Sequence, residues 1–200
     1  MRKIIINLLH RIKYLKLRDL NNKCTCEGDL IFTRFSCILL TQGATKSNVY
    51  LGKHCRLYGT LVACSKGEIK LGKHVAIGAH SRVMAVNSIS IGDYTETGPN
   101  VTICDNNNHP VHPEDRLVMR FTPPGAKERS WIYSESRKII IGKNVWIGEN
   151  SRICKGVTIG DGAIIAACSV VTKDVPSNSI AAGNPAKIVK TNIENTARLL

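Results

Sequence analysis

Hydrophobic positions along this chain fall on a six-residue beat. From about Leu51 to Val171 an aliphatic residue followed by Gly or another small or polar residue recurs every six positions, with one break around a histidine. The cleanest run reads Ile141-Gly142, Ile147-Gly148, Ile153-Cys154, Ile159-Gly160, Ile165-Ala166 and Val171-Thr172. An upstream run reads Leu71-Gly72, Ile77-Gly78, Val83-Met84, Ile91-Gly92, Thr97-Gly98 and Ile103-Cys104. A period of six fits neither the amphipathic helix, with its period of about 3.6, nor the alternating strand. It predicts a coil whose flat sides are hexapeptides, about three to a triangular turn, each with one aliphatic side chain pointing inward. Stacked turns then bury a continuous aliphatic column that no single repeat could bury alone.

The numbering carries the register. Leu51, Leu71 and Ile91 are spaced by twenty, which is eighteen plus a two-residue insertion. The next turn is due at 109, yet the beat resumes at Ile141, so about thirty-two residues leave the scaffold and return. Loops that long in a compact domain are functional or disordered as a rule. The excursion, 104–138, contains Pro110, Pro113, Pro123, Pro124, Trp131 and Tyr133, a mixture that favours an ordered arm. The same register stacks Lys53-His54, Lys73-His74 and Asp93-Tyr94 on a solvated corner. The chain divides into a basic amphipathic segment at 1–25, a repeat domain at 26–190 and a tail at 191–200.

In residues 1–20, Ile4, Ile5, Leu8, Leu9, Ile12 and Leu15 fall near helical spacing among six basic residues and one acid, Asp19. The apolar run is too short to span a bilayer and lacks a small-residue cleavage site. Two readings stand. The segment caps the first turn of the scaffold, or it is a basic amphipathic helix making peripheral contact with an anionic leaflet. Localisation is then cytoplasmic, at the inner face of the membrane on the second reading.

Charge narrows the partners. Twenty-eight Lys and Arg against 15 Asp and Glu give a net charge of +13, which suggests an anionic partner. No motif of a nucleic-acid reader accompanies it, so no nucleic-acid partner is expected. The eight cysteines read as reduced packing residues of a cytosolic protein, with Cys104, Cys154 and Cys168 on the beat. Cys24-x-Cys26 lacks a second pair to complete a metal site, and no metal is expected.

The runs Ile141-Gly-Lys-Asn-Val-Trp146-Ile-Gly148, Gly156-Val-Thr-Ile-Gly160-Asp161, Ser169-Val-Val-Thr-Lys173-Asp174-Val-Pro176 and Ala182-Gly183-Asn-Pro185-Ala186-Lys187 resemble the hexapeptide-repeat acyltransferases. Within that family the resemblance points to the galactoside and maltose O-acetyltransferases and to those that modify bacterial surface polysaccharides. It covers roughly 51–190. It implies an all-β fold, a left-handed parallel β-helix, and a homotrimer with active sites between subunits. It also implies acetyl-CoA as the acyl donor and a glycan or other small-molecule acceptor.

On this resemblance His109, in His109-Pro110-Val111-His112, matches the catalytic histidine. The chemistry agrees. Moving an acetyl group from a thioester to a sugar hydroxyl requires a base for a weakly acidic proton, and neutral imidazole serves near neutral pH. Donors must also face the oxyanion that develops. Asp105 and Glu114 are candidates for orienting the ring. His112 and Asn87 are expected at the acceptor. The family pattern places Trp146, Ala167, Thr172, Lys173, Lys187 and Lys190 along the coenzyme. The two last lysines stand where the galactoside enzymes carry arginine, so they act as point charges rather than forks.

Other functions share parts of this pattern. N-acetylation of an amino sugar or an antibiotic can use the same base. A γ-type carbonic anhydrase-like metal enzyme needs three converging histidines. A non-catalytic scaffold needs none of these residues.

Overall fold

The computed structural model describes residues 2–199, with side chains from Arg11 onward. The side chains of residues 2–10, which carry Ile4, Ile5, Leu8 and Leu9 of the apolar spacing, lie outside the described residues. A helix, Arg2–Asn21 (α1), leads into a column of triangular turns. Three parallel sheets form its sides. The first runs from Thr25–Cys26 through Val49–Leu51, Glu68–Leu71, Ser88–Ile91 and Ile139–Ile141 to Thr158–Ile159. The second begins at Ile31–Phe32 and ends in an antiparallel hairpin, Ile180–Gly183 with Ala186–Lys190. The third contains Cys37–Thr41, Thr60–Cys64, Arg82–Ala85, Thr102–Cys104, Arg152–Ile153 and Val170–Val171.

The beat positions become three interior ladders. Leu51, Leu71, Ile91, Ile141 and Ile159 pair in succession along the first sheet. Leu57 and Ile77 pair in the second, where Thr97, Ile147, Ile165 and Ala181 continue the column. Ile38, Leu61, Val83, Ile103, Ile153 and Val171 do so in the third. These side chains form one buried cluster (Thr97, also buried, fills its place with a hydroxyl that accepts from Gly78 N at 2.9 Å). Each aliphatic side chain so buried contributes about 1.5–3 kcal/mol.

Turns stack at about 4.8 Å, the spacing of neighbouring strands, and that closeness explains the small residue after each aliphatic one. A Cβ added to Gly92 would lie 2.6 Å from the Gly142 carbonyl carbon. The corners also need left-handed backbone. His54, His74, Tyr94 and Asn144 hold φ of 52–62° in one corner column, a conformation costing roughly 1–2 kcal/mol for non-glycine residues. Hydrogen bonds offset that cost, as in His74 N donating to Lys53 O at 2.8 Å and Tyr94 N to Lys73 O at 2.8 Å. The exposed rings stack, His54 on His74 at 4.8 Å and His74 on Tyr94 at 5.1 Å between centroids.

Two features differ from the sequence reading. A complete turn, with strands at Thr25–Cys26, Ile31–Phe32 and Cys37–Thr41, precedes Leu51 without a legible beat. Cys168, read as a packing residue, is exposed with φ 60° at a corner. The beat assigned it by proximity to Val171, but the inward position there belongs to Ala163, Ile165 and Val171.

Candidate active site

The third sheet delivers the chain to the excursion. After Thr102–Cys104 the path leaves the column at Asp105 and bridges antiparallel between Asn106 and Ser136 before rejoining at Ile139. Between these roots lie a helix, Pro113–Phe121 (α2), and two short 3₁₀ turns, Lys127–Arg129 and Trp131–Tyr133. The arm folds back along the outer face of the third sheet. There Trp131 packs on outward-facing Val62, Met84 and Cys104, which form a second apolar cluster.

Asp105 and Asn106 tie the root together. Asp105 is fully buried. Its carboxylate accepts from Val86 N at 3.0 Å and Asn87 N at 2.8 Å in the preceding turn, and from Asn106 Nδ2 at 3.1 Å. Burial pushes the Asp105 carboxyl above the usual aspartate range, and those backbone donors pull against the rise. The Asn106 amide oxygen accepts from Asn108 N at 2.8 Å and from Ser134 Oγ at 3.4 Å. Arg137 N donates to Asp105 O at 2.9 Å. One buried pair therefore joins the preceding turn, the limb leading to His109 and the returning limb.

His109 follows Asn108, whose φ is 65°, and its side chain is exposed. Its Nδ1 lies 3.0 Å from Pro110 O. A carbonyl can only accept, so this contact requires the Nδ1–H tautomer and leaves the Nε2 lone pair free. Asp105 is committed to backbone N–H groups, and the Pro110 carbonyl is the group that meets the ring. Glu114 stands in the exposed first turn of α2. His112 is the N-cap of α2 and is exposed. Asn87 lies against the root through its backbone donation to Asp105.

The residues expected along a coenzyme separate into two grooves of this chain. Trp146, about half exposed at 48%, and Ala167 line one of about 290 Å³ with Pro99, Ile164 and Ala166. Thr172, Lys173 and Lys187 line another of about 330 Å³, with Val175, Ala181, Ala186 and Ile188. Lys190 lies at the end of the last strand, its Nζ 3.5 Å from Thr196 Oγ1. Thr172 also borders a third groove, of about 440 Å³, with Asn107, Arg137, Arg152 and Lys155. Sequence reasoning passed over Asn106 and Arg152, and took Trp131 only as a mark of an ordered arm. Only the chemistry of Trp131, a large apolar residue in a polar excursion, offered a signal. Among the described residues no three His, Cys, Asp or Glu side chains converge as a metal site would require.

The cysteines behave as their depths dictate. All eight are free. Burial pushes the Cys24 thiol up to about 12 and the Cys55 thiol up to about 11.

Comparison with known proteins adds the lineage. The family model for bacterial transferase hexapeptide (six repeats) matches residues 138–173. "Putative lipopolysaccharide biosynthesis O-acetyl transferase WbbJ" of Escherichia coli K12 is 31% identical over 159 residues, 78% of this chain and 76% of that protein. Galactoside O-acetyltransferase of Escherichia coli K12 is 37% identical over 122 residues, 61% of this chain; the match spans about half, 53%, of that enzyme. Among solved structures, the polySia specific acetyltransferase NeuO superimposes with a TM-score of 0.63 at 28% identity, covering 84% of this chain and 75% of that one. With its stacked parallel turns and a relative matched over three-quarters of its length, this chain belongs to the hexapeptide-repeat acetyltransferases, whose β-helix is left-handed.

Proposed function

We propose that this protein transfers an acetyl group from acetyl-CoA to a sugar hydroxyl of a glycan or its precursor, with His109 as general base. The observation that carries the reading is the His109 ring: exposed, at the rim of the excursion, with Nδ1 held by the Pro110 carbonyl and Nε2 free to accept a proton. The Asp105–Asn106 pair holds the limb that presents it. Acetyl-CoA supplies an activated thioester when bound. Lys173 and Lys187 would meet its phosphates in a groove whose apolar lining of Val175, Ala181, Pro185, Ala186 and Ile188 suits a long, flexible arm; Asp174, the carboxylate on that border, accepts from Thr158 N at 2.7 Å. Trp146 and Ala167 line a separate groove near the Pro99 corner. Both grooves serve one ligand if a neighbouring copy closes the site, so we place the active sites between subunits of a homotrimer. Lys190 then contacts the coenzyme end, while Asn87 and His112 flank the acceptor. The relatives' names support a glycan acceptor: lipopolysaccharide biosynthesis for WbbJ, galactoside and polySia for the others.

The three-part division of the chain belongs to the same proposal. No described helix is long and apolar enough to cross a membrane. α1 plugs the first turn with Leu20, which is fully buried, and leaves Ile12, Tyr14 and Leu15 exposed beside Arg11, Lys13 and Arg18. We read a helix so divided as a cap on the scaffold whose exposed basic and apolar face also rests on an anionic leaflet, with the enzyme at the inner face of the membrane. Flotation of wild type but not of a 1–18 deletion with anionic vesicles is the expected result; equal flotation removes the membrane contact.

The decisive experiment is release of coenzyme A thiol from acetyl-CoA across a panel of mono- and oligosaccharides, with wild type and His109→Ala. Acceptor-dependent release should fall by at least about 100-fold in the variant. Full transfer by His109→Ala would remove the assigned mechanism. Sedimentation equilibrium tests the trimer, and a monomer that turns over fully would sink the shared site.

A further inference from the structure

On the outer face of the third sheet, Arg82 and Arg152 stand in register on either side of Thr102. Arg152 forms part of the groove of about 440 Å³ that opens beside the root of the excursion. Asn107, two residues before His109, makes one wall, and Thr172, shared with the lysine-lined groove, makes the other. Three cations border the space: Arg137, Arg152 and Lys155. Arg137 and Lys155 are balanced by one carboxylate, Glu135, at 2.7 and 3.3 Å. Arg152 is half-buried, and among the described residues no carboxylate lies within ion-pair distance of it. The groove therefore carries two positive charges in excess.

An arginine partly removed from water without a counter-charge is unfavourable until an anion reaches it. Its planar fork matches the paired oxygens of a carboxylate or phosphate. Asn107 adds an amide group on the same border. The position decides whose oxyanion this is. Lys173 and Lys187 line the other groove that Thr172 borders, the one suited to the coenzyme, whereas Arg152 shares its groove with Asn107, two residues before His109 in the chain.

We propose that this groove binds an oxyanion of the acceptor, so that the substrate is an acidic sugar, bearing a carboxylate or a phosphate near the hydroxyl that is acetylated. This rests on the reading of the protein as a glycan acetyltransferase. The phosphates of coenzyme A share the same chemistry, and the test separates the two sources.

The experiment is calorimetric binding of matched pairs: galacturonate against galactose, and glucose 1-phosphate against glucose. Wild type, Arg152→Ala, Arg152→Lys and Lys66→Ala are compared at one ionic strength, with and without saturating coenzyme A. Wild type should bind an acid at least tenfold more tightly than its neutral partner. Arg152→Ala should abolish that preference, Arg152→Lys should restore part of it, and Lys66→Ala, which removes an equal charge from an exposed corner, should keep it. The preference should persist when coenzyme A is bound. Equal binding of acid and neutral sugars by wild type, or a preference intact in Arg152→Ala, overturns the inference. A preference that disappears on adding coenzyme A hands the groove to the coenzyme and overturns it as well. Failure of the parent reading shows differently, as absent coenzyme A binding with acid binding intact; the groove then stands as an oxyanion site and its assignment to an acceptor falls.

Discussion

Turns upstream of the excursion advance by twenty residues in the first sheet, from Leu51 to Leu71 to Ile91, while turns downstream advance by eighteen, from Ile141 to Ile159. The extra residues lengthen the third side. Strands there run Thr60–Cys64 and Arg82–Ala85 upstream but only Arg152–Ile153 and Val170–Val171 downstream. Upstream, the longer strands turn Val62 and Met84 outward as an apolar platform, and the excursion docks Trp131 on it. Downstream, the outer face carries Arg152, Lys155 and Thr172 and stays open as a groove. The interior ladders run through both halves alike. The beat dictates what faces in, and the residues between beats decide whether an outer face becomes a docking platform or a binding surface.

The sharpest way to break this comparison is a matched pair of interior truncations. Ile69→Ala and Ile165→Ala, both essentially unexposed, should each lose about 2–5 kcal/mol of unfolding free energy in urea. A large difference between them would mean that the halves do not share one interior. Outer-face substitutions should separate the halves. Trp131→Ala should cost about 1–3 kcal/mol, less than a fully buried aromatic, because its ring is half-buried. It should also speed tryptic cutting at Arg120, Lys127 and Arg129 and lower turnover. Arg152→Ala should move stability by less than about 0.5 kcal/mol. Equal costs for these two would erase the distinction between platform and groove.

A smaller, pH-dependent effect belongs to the root between the halves. Burial raises the Asp105 carboxyl above the ordinary aspartate range despite its N–H donors, so relative to the unfolded chain the fold disfavours its charge. Its contribution is fully present below the ordinary aspartate pKa and is lost as the pH rises through the raised value. The stability difference between wild type and Asp105→Asn should therefore shift against wild type over that window, followed by melting temperature. A difference that is flat with pH would show that the backbone donors fully offset the burial. The smallest effect is chemical. At pH 8, Cys168 at its exposed corner should react first with a thiol reagent, while Cys24 and Cys55, with thiols up to about 12 and about 11, should stay silent until the protein unfolds. Early labelling of Cys24 would mean that the cap formed by the end of α1 opens readily.

Legibility along the chain followed the strength of the steric rule at each position. The interior ladders could be numbered in advance because each six-residue side turns its beat residue inward, and stacking favours an aliphatic one there; Thr97 passes because its hydroxyl finds the Gly78 amide. The second inward residue, two positions earlier, varies more and includes Ile69, Ala163, Ser151 and Ser169. The first turn could not be read, since its sides from Thr25 to Thr41 step unevenly and keep no period. His109 was legible through the break in the beat and its family context. Its tautomer was not, because that depends on the Pro110 carbonyl, whose position follows from the path of the excursion. Asp105 was expected near the imidazole by proximity in sequence, yet its carboxylate turns to Val86 and Asn87, one turn earlier in the column.

The repeat, its register, the length of the excursion and the histidine it carries follow from spacing and side-chain chemistry along one chain. Which outward residues meet across turns is set instead by how the turns stack. Residues some twenty positions apart, or on opposite limbs of the excursion, become neighbours through stacking at about 4.8 Å. No local pattern encodes that Trp131 covers Met84, that Asn106 ties Asn108 to Ser134, or that Arg152 stands half-buried without a counter-charge beside Asn107.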